Sequence, residues 1–323
     1  MMSSSASVLP PAAQLARTFD VARLIADIER LDPDTWKRLN YVDEQAVIHE
    51  ITVDWRCLPL RVIGGDPRRT DAGSPGLVDY ANTKWFDQAT YLAEIVTSIP
   101  APILDVRLLA LGGGMEGPEH NDARLDLRYG LARLHVPITT TPGSRLYLDN
   151  QVYQWKPGTF WFGDFNRIHK VENTDSVLRI HMVFDVLVSK GLLELFPSEY
   201  RALLGGEVIV NRPPVPLSPA ERARLRVSFR LPVFFPNVEG PEDDFLQPQD
   251  QRHATIDDDG SRMILSLDGR PTIALVHIGD NEFRFLGWSD ERTMQVSPNG
   301  DTVMLRMRAG AQVRQQEIQA ARL

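Results

Sequence analysis

The sequence predicts a mainly β protein whose core is a jelly roll, a sandwich or barrel of short strands. Three observations lead there. Between residues 103 and 188, apolar, β-branched and aromatic runs alternate with turns rich in Pro and Gly. Helical periodicity is confined to the flanks of that region. The chain has 323 residues, 43% hydrophobic and 24% charged, enough for a sizeable core in one large domain or one domain plus an appendage.

The elements follow in order. Residues 1–19 are read as a flexible tail. MMSSSASVLPPAAQLARTF lacks the charged segment and apolar run of a secretory signal. DVARLIADIERLD (20–32) spaces its apolar residues as a helix, and 79–99, DYANTKWFDQATYLAEIVTSI, reads as a longer one. Between them VIHEITVDWRCLPLRVI (47–63) has strand character. ILDVRLLAL (103–111) is a strand ending at Gly112, Gly113 and Gly114, and ARLHVPIT (132–139) is another. RLYLDNQVYQW (145–155) reads as a hairpin and KPG (156–158) as a turn. GTFWFGDF (158–165) and VLRIHMVFDVLV (177–188) complete the β region.

Helices return at KGLLELFPSEYRALLGG (190–206) and SPAERARLRVSF (218–229). In the second, Ser218, Pro219 and Glu221 form a capping-box start. Residues 236–260 are acidic and polar and read as a long loop. Beyond 261, RMILSLDG, TIALVHIG, EFRFLGW and TVMLRMRAG are strand-like, with hairpin signals at LDGR and PNGD. The expected organisation is a tail (1–19), a jelly-roll domain with flanking helices (20–206) and a C-terminal α/β appendage (207–323).

Several functions are excluded. The net charge of −8 carries no basic patch for nucleic acid or an acidic membrane surface. No apolar run approaches the roughly 20 residues that span a bilayer. The single thiol, Cys57, forms no internal disulfide and suits a reducing cytoplasm.

GPEHNDAR (117–124) carries the chemistry. His120 and Asp122 lie two apart, which on a strand places both side chains on one face. His169 follows in FNRIHKVEN, and a jelly roll brings strands distant in sequence side by side. Two histidines and one carboxylate then form the facial set of non-haem Fe(II) oxygenases. The competing reading of His120 and Asp122 is a solvated loop. Arg179, amid Val, Leu, Ile and Met, needs an anion. That anion is either a dicarboxylate cosubstrate or a core carboxylate such as Asp185 or Asp164. Arg133 and His135 share a strand face and read as site residues or as edge-strand polar groups. His181 reads as a hydrogen-bonded core histidine. Asp257, Asp258, Asp259 and Gly260 read as a solvated acidic turn, lacking the spacing of a calcium loop.

RLLALGGGMEGPEHND, RLHVPI and WKPGTFWFGDFNRIHKVENTDSVLRIHMVFDV together resemble the aspartyl/asparaginyl β-hydroxylase branch of the Fe(II)/2-oxoglutarate dioxygenases. The resemblance covers about residues 103–188. The retained aspartate makes the motif most similar to bacterial proline hydroxylases. The resemblance implies a double-stranded β-helix, cupin-like in architecture. It implies His120, Asp122 and His169 as ligands and catalytic core of Fe(II), and Arg179 on the distal carboxylate of 2-oxoglutarate. Arg133, with His135, would meet the other carboxylate or the substrate. O2 is the co-reactant. The expected activity is hydroxylation of an unactivated C–H of a free amino acid or amino-acid-derived small molecule, releasing succinate and CO2. An Asp or Asn residue held in a peptide or on a carrier is the alternative substrate. Outside this class stands a cupin-type isomerase, lyase or binding module. The small molecule is the expected partner, and a homodimer is left open.

Overall fold

The computed structural model describes residues 9–42, 48–50, 53–238, 240 and 242–323. The chain divides into two compact units. The first comprises 1–73, 80–126 and 131–206; the second comprises 74–79, 127–130 and 207–323.

The first unit is a mainly β sandwich with the two sheets of a jelly roll. Its large sheet runs in the order β1 (Ala12–Thr18), β12 (Thr159–Gly163), β9 (Leu131–Thr139), β14 (Arg179–Leu187), β7 (Ile103–Leu111), β5 (Trp55–Ile63) and β2 (Lys37–Arg38). The short β6 (Tyr80–Asn82) also pairs with β5. Its small sheet runs β11 (Gln151–Tyr153), β10 (Ser144–Leu148), β13 (His169–Asn173), β8 (Met115–Glu116). A separate hairpin joins β3 (Asn40–Val42) to β4 (Ile48–Glu50). All pairings are antiparallel.

Strand alternation sorts the large sheet into two faces. Leu134, Val136, Ile180, Met182, Phe184, Val106 and Leu108 form a buried apolar outer face. Helix α1 (Val21–Arg30) packs on β9. Phe162 of β12 meets Phe196 and Tyr200, the latter in α4 (Ser198–Leu204). The other face carries Arg133, His135, Arg179, His181 and Asp185 and turns toward the small sheet. Central strand β14 is buried along its whole length, as a strand covered on both faces must be.

Helix α2 (Thr90–Ser98) has no side-chain cap of its own. Asp27 of α1 supplies one, accepting from Tyr91 N (2.8 Å) and Leu92 N (3.0 Å). The expected hairpin is present, with Asp149 and Asn150 at φ 51° and 60°, the left-handed pair of a tight two-residue turn.

Three expectations are corrected. Residues 12–18 of the expected tail are an edge strand, because their backbone completes the hydrogen bonding of β12; residues 1–8 lie outside the described residues. The helix read over 79–99 contracts to Thr90–Ser98, since Tyr80–Asn82 pair with β5. Helix 190–206 is broken into α3 (Lys190–Leu193) and α4, with Pro197 capping the start of the latter. Strand character over 47–63 holds for β4 and β5, while 47, 51 and 52 lie outside the described residues.

The second unit is a closed antiparallel barrel of eight strands. These are β15 (Val227–Pro232), β16 (Gln251–Asp258), β17 (Met263–Leu267), β18 (Arg270–His277), β19 (Glu282–Phe285), β20 (Arg292–Val296), β21 (Thr302–Ala309) and β22 (Gln312–Arg322). β22 returns to pair with β15, so neither end strand leaves an open edge. The interior is filled by side chains such as Val227, Phe229, Leu265, Phe283 and Phe285. Its α-helix, α5 (Pro219–Arg224), starts with the expected Ser218–Glu221 capping box but stops before 225, where the chain turns into β15. The appendage thus has more strands and less helix than its sequence runs suggest. β16 falls inside the stretch read as loop. Short segments from earlier in the sequence belong to this unit. Ala274 N donates to Gly76 O (3.0 Å), Arg262 NH2 to Leu77 O (2.5 Å), Gly310 N to Arg128 O (2.7 Å) and Asn211 Nδ2 to Gly130 O (2.7 Å).

Among the described residues, no helix is long and apolar enough to cross a membrane.

Candidate functional site

The first unit gathers its polar side chains in a pocket between the two sheets. β13 and β10 contribute His169, Val171 and Leu146, and the large sheet contributes Trp55, Leu109, Arg133, His135, Arg179, His181 and Val183. His120 and Phe165 complete the lining from loops.

The segment with His120 and Asp122 is not a regular strand. It is held beside β13 by a single antiparallel bridge. His120 N donates to His169 O (3.0 Å) and His169 N to His120 O (2.8 Å). Asp122 N donates to Phe165 O (2.9 Å). This pairing brings together His120 and His169, 49 residues apart in sequence. The candidate ligand atoms of His120, Asp122 and His169 all lie within 4.8 Å of one another. His120 Nε2 is 3.9 Å from Asp122 Oδ1, and His169 Nε2 is 4.0 Å from Asp122 Oδ2.

The donor set fits a divalent first-row metal. Each imidazole places Nδ1 2.9 Å from a backbone carbonyl, Pro118 O for His120 and Arg167 O for His169. Nδ1–H therefore donates, which leaves the Nε2 lone pair facing Asp122. Burial pushes His169 down to about 4, so it is neutral and able to ligate at neutral pH. Burial alone would raise Asp122, but Arg133, His169 and His120 outweigh it and hold the carboxyl below its ordinary value. Asn121, between His120 and Asp122, is exposed.

At the other end of the pocket stands Arg179, 5% exposed. Burial lowers its guanidinium to about 10. Among the described residues no carboxylate pairs with it; its NH2 lies 3.3 Å from His181 Nδ1. His135 Nδ1 lies 3.3 Å from the same atom. Burial first, then the Arg179 charge, pushes both imidazoles well below the ordinary histidine value. The Nε2 atoms of both are buried without a hydrogen-bond partner. His181, read from sequence as a core histidine, is therefore part of the pocket wall.

The carboxylates proposed from sequence as partners of Arg179 are engaged elsewhere. Asp164 pairs with Arg167 (2.6 Å). Asp185 pairs with Arg133, Nε to Oδ1 at 2.7 Å and NH2 to Oδ2 at 2.8 Å. Arg133 NH1 donates to Asp122 Oδ2. Arg133 was expected, with His135, to meet the other carboxylate of 2-oxoglutarate or the substrate; three of its donors serve Asp185 and Asp122.

The sequence profile of the aspartyl/asparaginyl β-hydroxylase family matches residues 22–188, just over half the chain. The chain belongs to that family. This β-hydroxylase family member is accordingly an enzyme of the Fe(II)/2-oxoglutarate dioxygenase class, with O2 as co-reactant. No curated protein matches it. Solved structures similar to this chain include a 2OG-Fe(II) oxygenase family oxidoreductase from Burkholderia pseudomallei. That match has 14% identity, 52% of this chain, 77% of that one and a TM-score of 0.32. A prolyl hydroxylase from Trichoplax adhaerens, complexed with a hypoxia-inducible-factor peptide, has 14% identity, coverage of 60% and 86%, and a TM-score of 0.36. A cupin domain of a transcriptional regulator from Enterobacter cloacae has 16% identity, coverage of 25% and 79%, and a TM-score of 0.21.

Proposed function

We propose that this enzyme hydroxylates an unactivated C–H bond of a free amino acid or small amino-acid-derived molecule. The first unit does the chemistry, with His120, Asp122 and His169 holding Fe(II). Arg179 receives the distal carboxylate of 2-oxoglutarate, with His135 and His181 lining that end. The observation that carries this reading is one pocket lined both by His120 and His169, the two imidazoles of a His–Asp–His cluster, and by a buried arginine with no carboxylate partner among the described residues.

When bound, Fe(II) with 2-oxoglutarate and O2 supplies the C–H-oxidising power, leaving succinate and CO2. The protein's own task is positional. His120 and His169 offer Nε2 because backbone carbonyls fix their Nδ1–H. Arg179 supplies the charge that a dicarboxylate needs in a site too buried for water to do so. Trp55, Leu109, Leu146, Val171 and Val183 form apolar walls that suit an aliphatic carbon and exclude water. With Asp122 supplying a carboxylate to the metal, hydroxylation would be favoured over halogenation. A cytoplasmic setting agrees with the lone, buried Cys57.

The test is aerobic turnover with Fe(II), 2-oxoglutarate and a panel of free amino acids beside Asp- and Asn-containing peptides, read by succinate and a mass gain of one oxygen. Oxygen gain on a free amino acid supports the reading. Gain only on peptides moves the substrate to a held Asp or Asn. No succinate with any of them overturns the proposal.

A further inference from the structure

Arg133 is the most heavily engaged cation in the pocket. It sits on β9 with Asp185 of β14 as its Cα partner, and Asp185 is in turn the Cα partner of Asp105 on β7. Partners in register share a face, so three charged side chains line up across three neighbouring strands. Arg107, two residues along from Asp105, fills the gap between the two carboxylates. It lies 2.5 Å from Asp105 Oδ2 and 3.4 Å from Asp185 Oδ2. The result is a row of alternating acidic and basic side chains, Asp122–Arg133–Asp185–Arg107–Asp105, that begins at the proposed ligand carboxylate and ends deep in the sheet.

We infer that Arg133 is a positioning residue for the metal centre and not an anchor for the cosubstrate. Asp185 fixes the guanidinium plane through two contacts, which aims NH1 at Asp122 Oδ2. The Asp122 side chain sits in a loop, so no strand geometry sets its rotamer. Arg133 sets it instead, with Oδ1 left toward His120 Nε2 at 3.9 Å. An arginine that turned to a cosubstrate would give up its contacts to two carboxylates, one of them, Asp185, only 6% exposed and left with the longer Arg107 contact at 3.4 Å. Arg179 has no such commitments. The two arginines thus divide the work: Arg133 orders the ligand set, and Arg179 takes the incoming anion. Supporting groups of this kind typically change metal affinity by about 10–100-fold when removed.

This inference rests on the proposed metal centre, and the experiment separates the two. The full chain is titrated with Co(II), read by its absorption, and 2-oxoglutarate binding is then measured at saturating Co(II). Wild type should bind Co(II) and His169→Ala should not; if wild type fails to bind, the metal-centre reading itself falls. Arg133→Met should weaken Co(II) about 10–100-fold, Arg133→Lys should recover part of that, and Asp185→Asn should weaken Co(II) with Arg133 intact. Affinity for 2-oxoglutarate should stay within about threefold of wild type in the folded variants. Unchanged Co(II) affinity in Arg133→Met and Asp185→Asn, or a loss of 2-oxoglutarate binding alone, overturns the inference. Asp185→Asn and Arg133→Lys keep the side-chain volume, so they decide the matter should Arg133→Met fail to fold.

Discussion

Arg179 and His181, two positions apart on β14, touch through NH2 and Nδ1 at 3.3 Å. Since a guanidinium only donates, His181 Nδ1 accepts and the ring carries its proton on Nε2. The arginine keeps its remaining donors for an anion.

Arg179→Met should therefore cost cosubstrate binding far more than metal binding. Loss of one partner of a buried charge pair costs about 2–5 kcal/mol, roughly 30-fold or more in affinity. Calorimetric titration of 2-oxoglutarate and of Co(II) would check this. Equal loss of both would assign Arg179 a folding role instead.

The ligand and its neighbour separate cleanly. Asp122→Ala should abolish tight Fe(II) or Co(II) binding, and Asn121→Ala should leave it within about twofold, because the exposed Asn121 lies between the ligands and is not one of the clustered groups. Parallel metal titrations with circular dichroism as a folding control read the difference.

Stability should fall with acid through His135 and His181. Both are pushed below the ordinary value of 6.5. Above that pH both are neutral folded or unfolded, and their contribution is complete. Below it the unfolded chain takes up protons that the folded one refuses, so each histidine removes up to about 1.4 kcal/mol per pH unit. Asp105, raised well above its ordinary value chiefly by burial, acts in the opposite sense. Urea midpoints between pH 7.5 and 5 should therefore be compared with a His135→Gln/His181→Gln variant. The variant's slope should be flatter, and an identical slope would refute the assignment.

Gly117 is a steric requirement. A Cβ there would lie 2.9 Å from Trp55 Cζ3 and 3.1 Å from Val171 Cγ2, both in the pocket wall. Gly117→Ala should destabilise by about 1–3 kcal/mol and shift the tryptophan emission. A denaturation curve matching wild type would contradict it.

The clustering of His120, Asp122 and His169 was legible because a jelly roll brings segments distant in sequence side by side. Strands 103–111, 131–139 and 179–187 were legible because apolar runs with β-branched residues fit a sheet. What stayed hidden depends on register. Nothing in the spacing of Arg133 and Asp185, 52 residues apart, says that they are partners. His181 reads as core because its neighbours are apolar, yet alternation turns it inward while Ile180 and Met182 face out. Barrel closure was equally unreadable, since it is set by the pairing of β15 with β22 across the whole second unit.

The membership of Ser74–Asp79 and Leu127–Gly130 in the second unit sets an order of events during synthesis. Leu77 leaves the ribosome 185 residues before Arg262, its hydrogen-bond partner. At ordinary elongation speeds that is a wait of roughly 10–40 s. Throughout it, these loops are open-ended and available to chaperones, although the strands around them are already synthesised. Synonymous codons that slow translation after residue 206 would lengthen that exposure, and the yield of native enzyme would depend on them although the amino-acid sequence does not change.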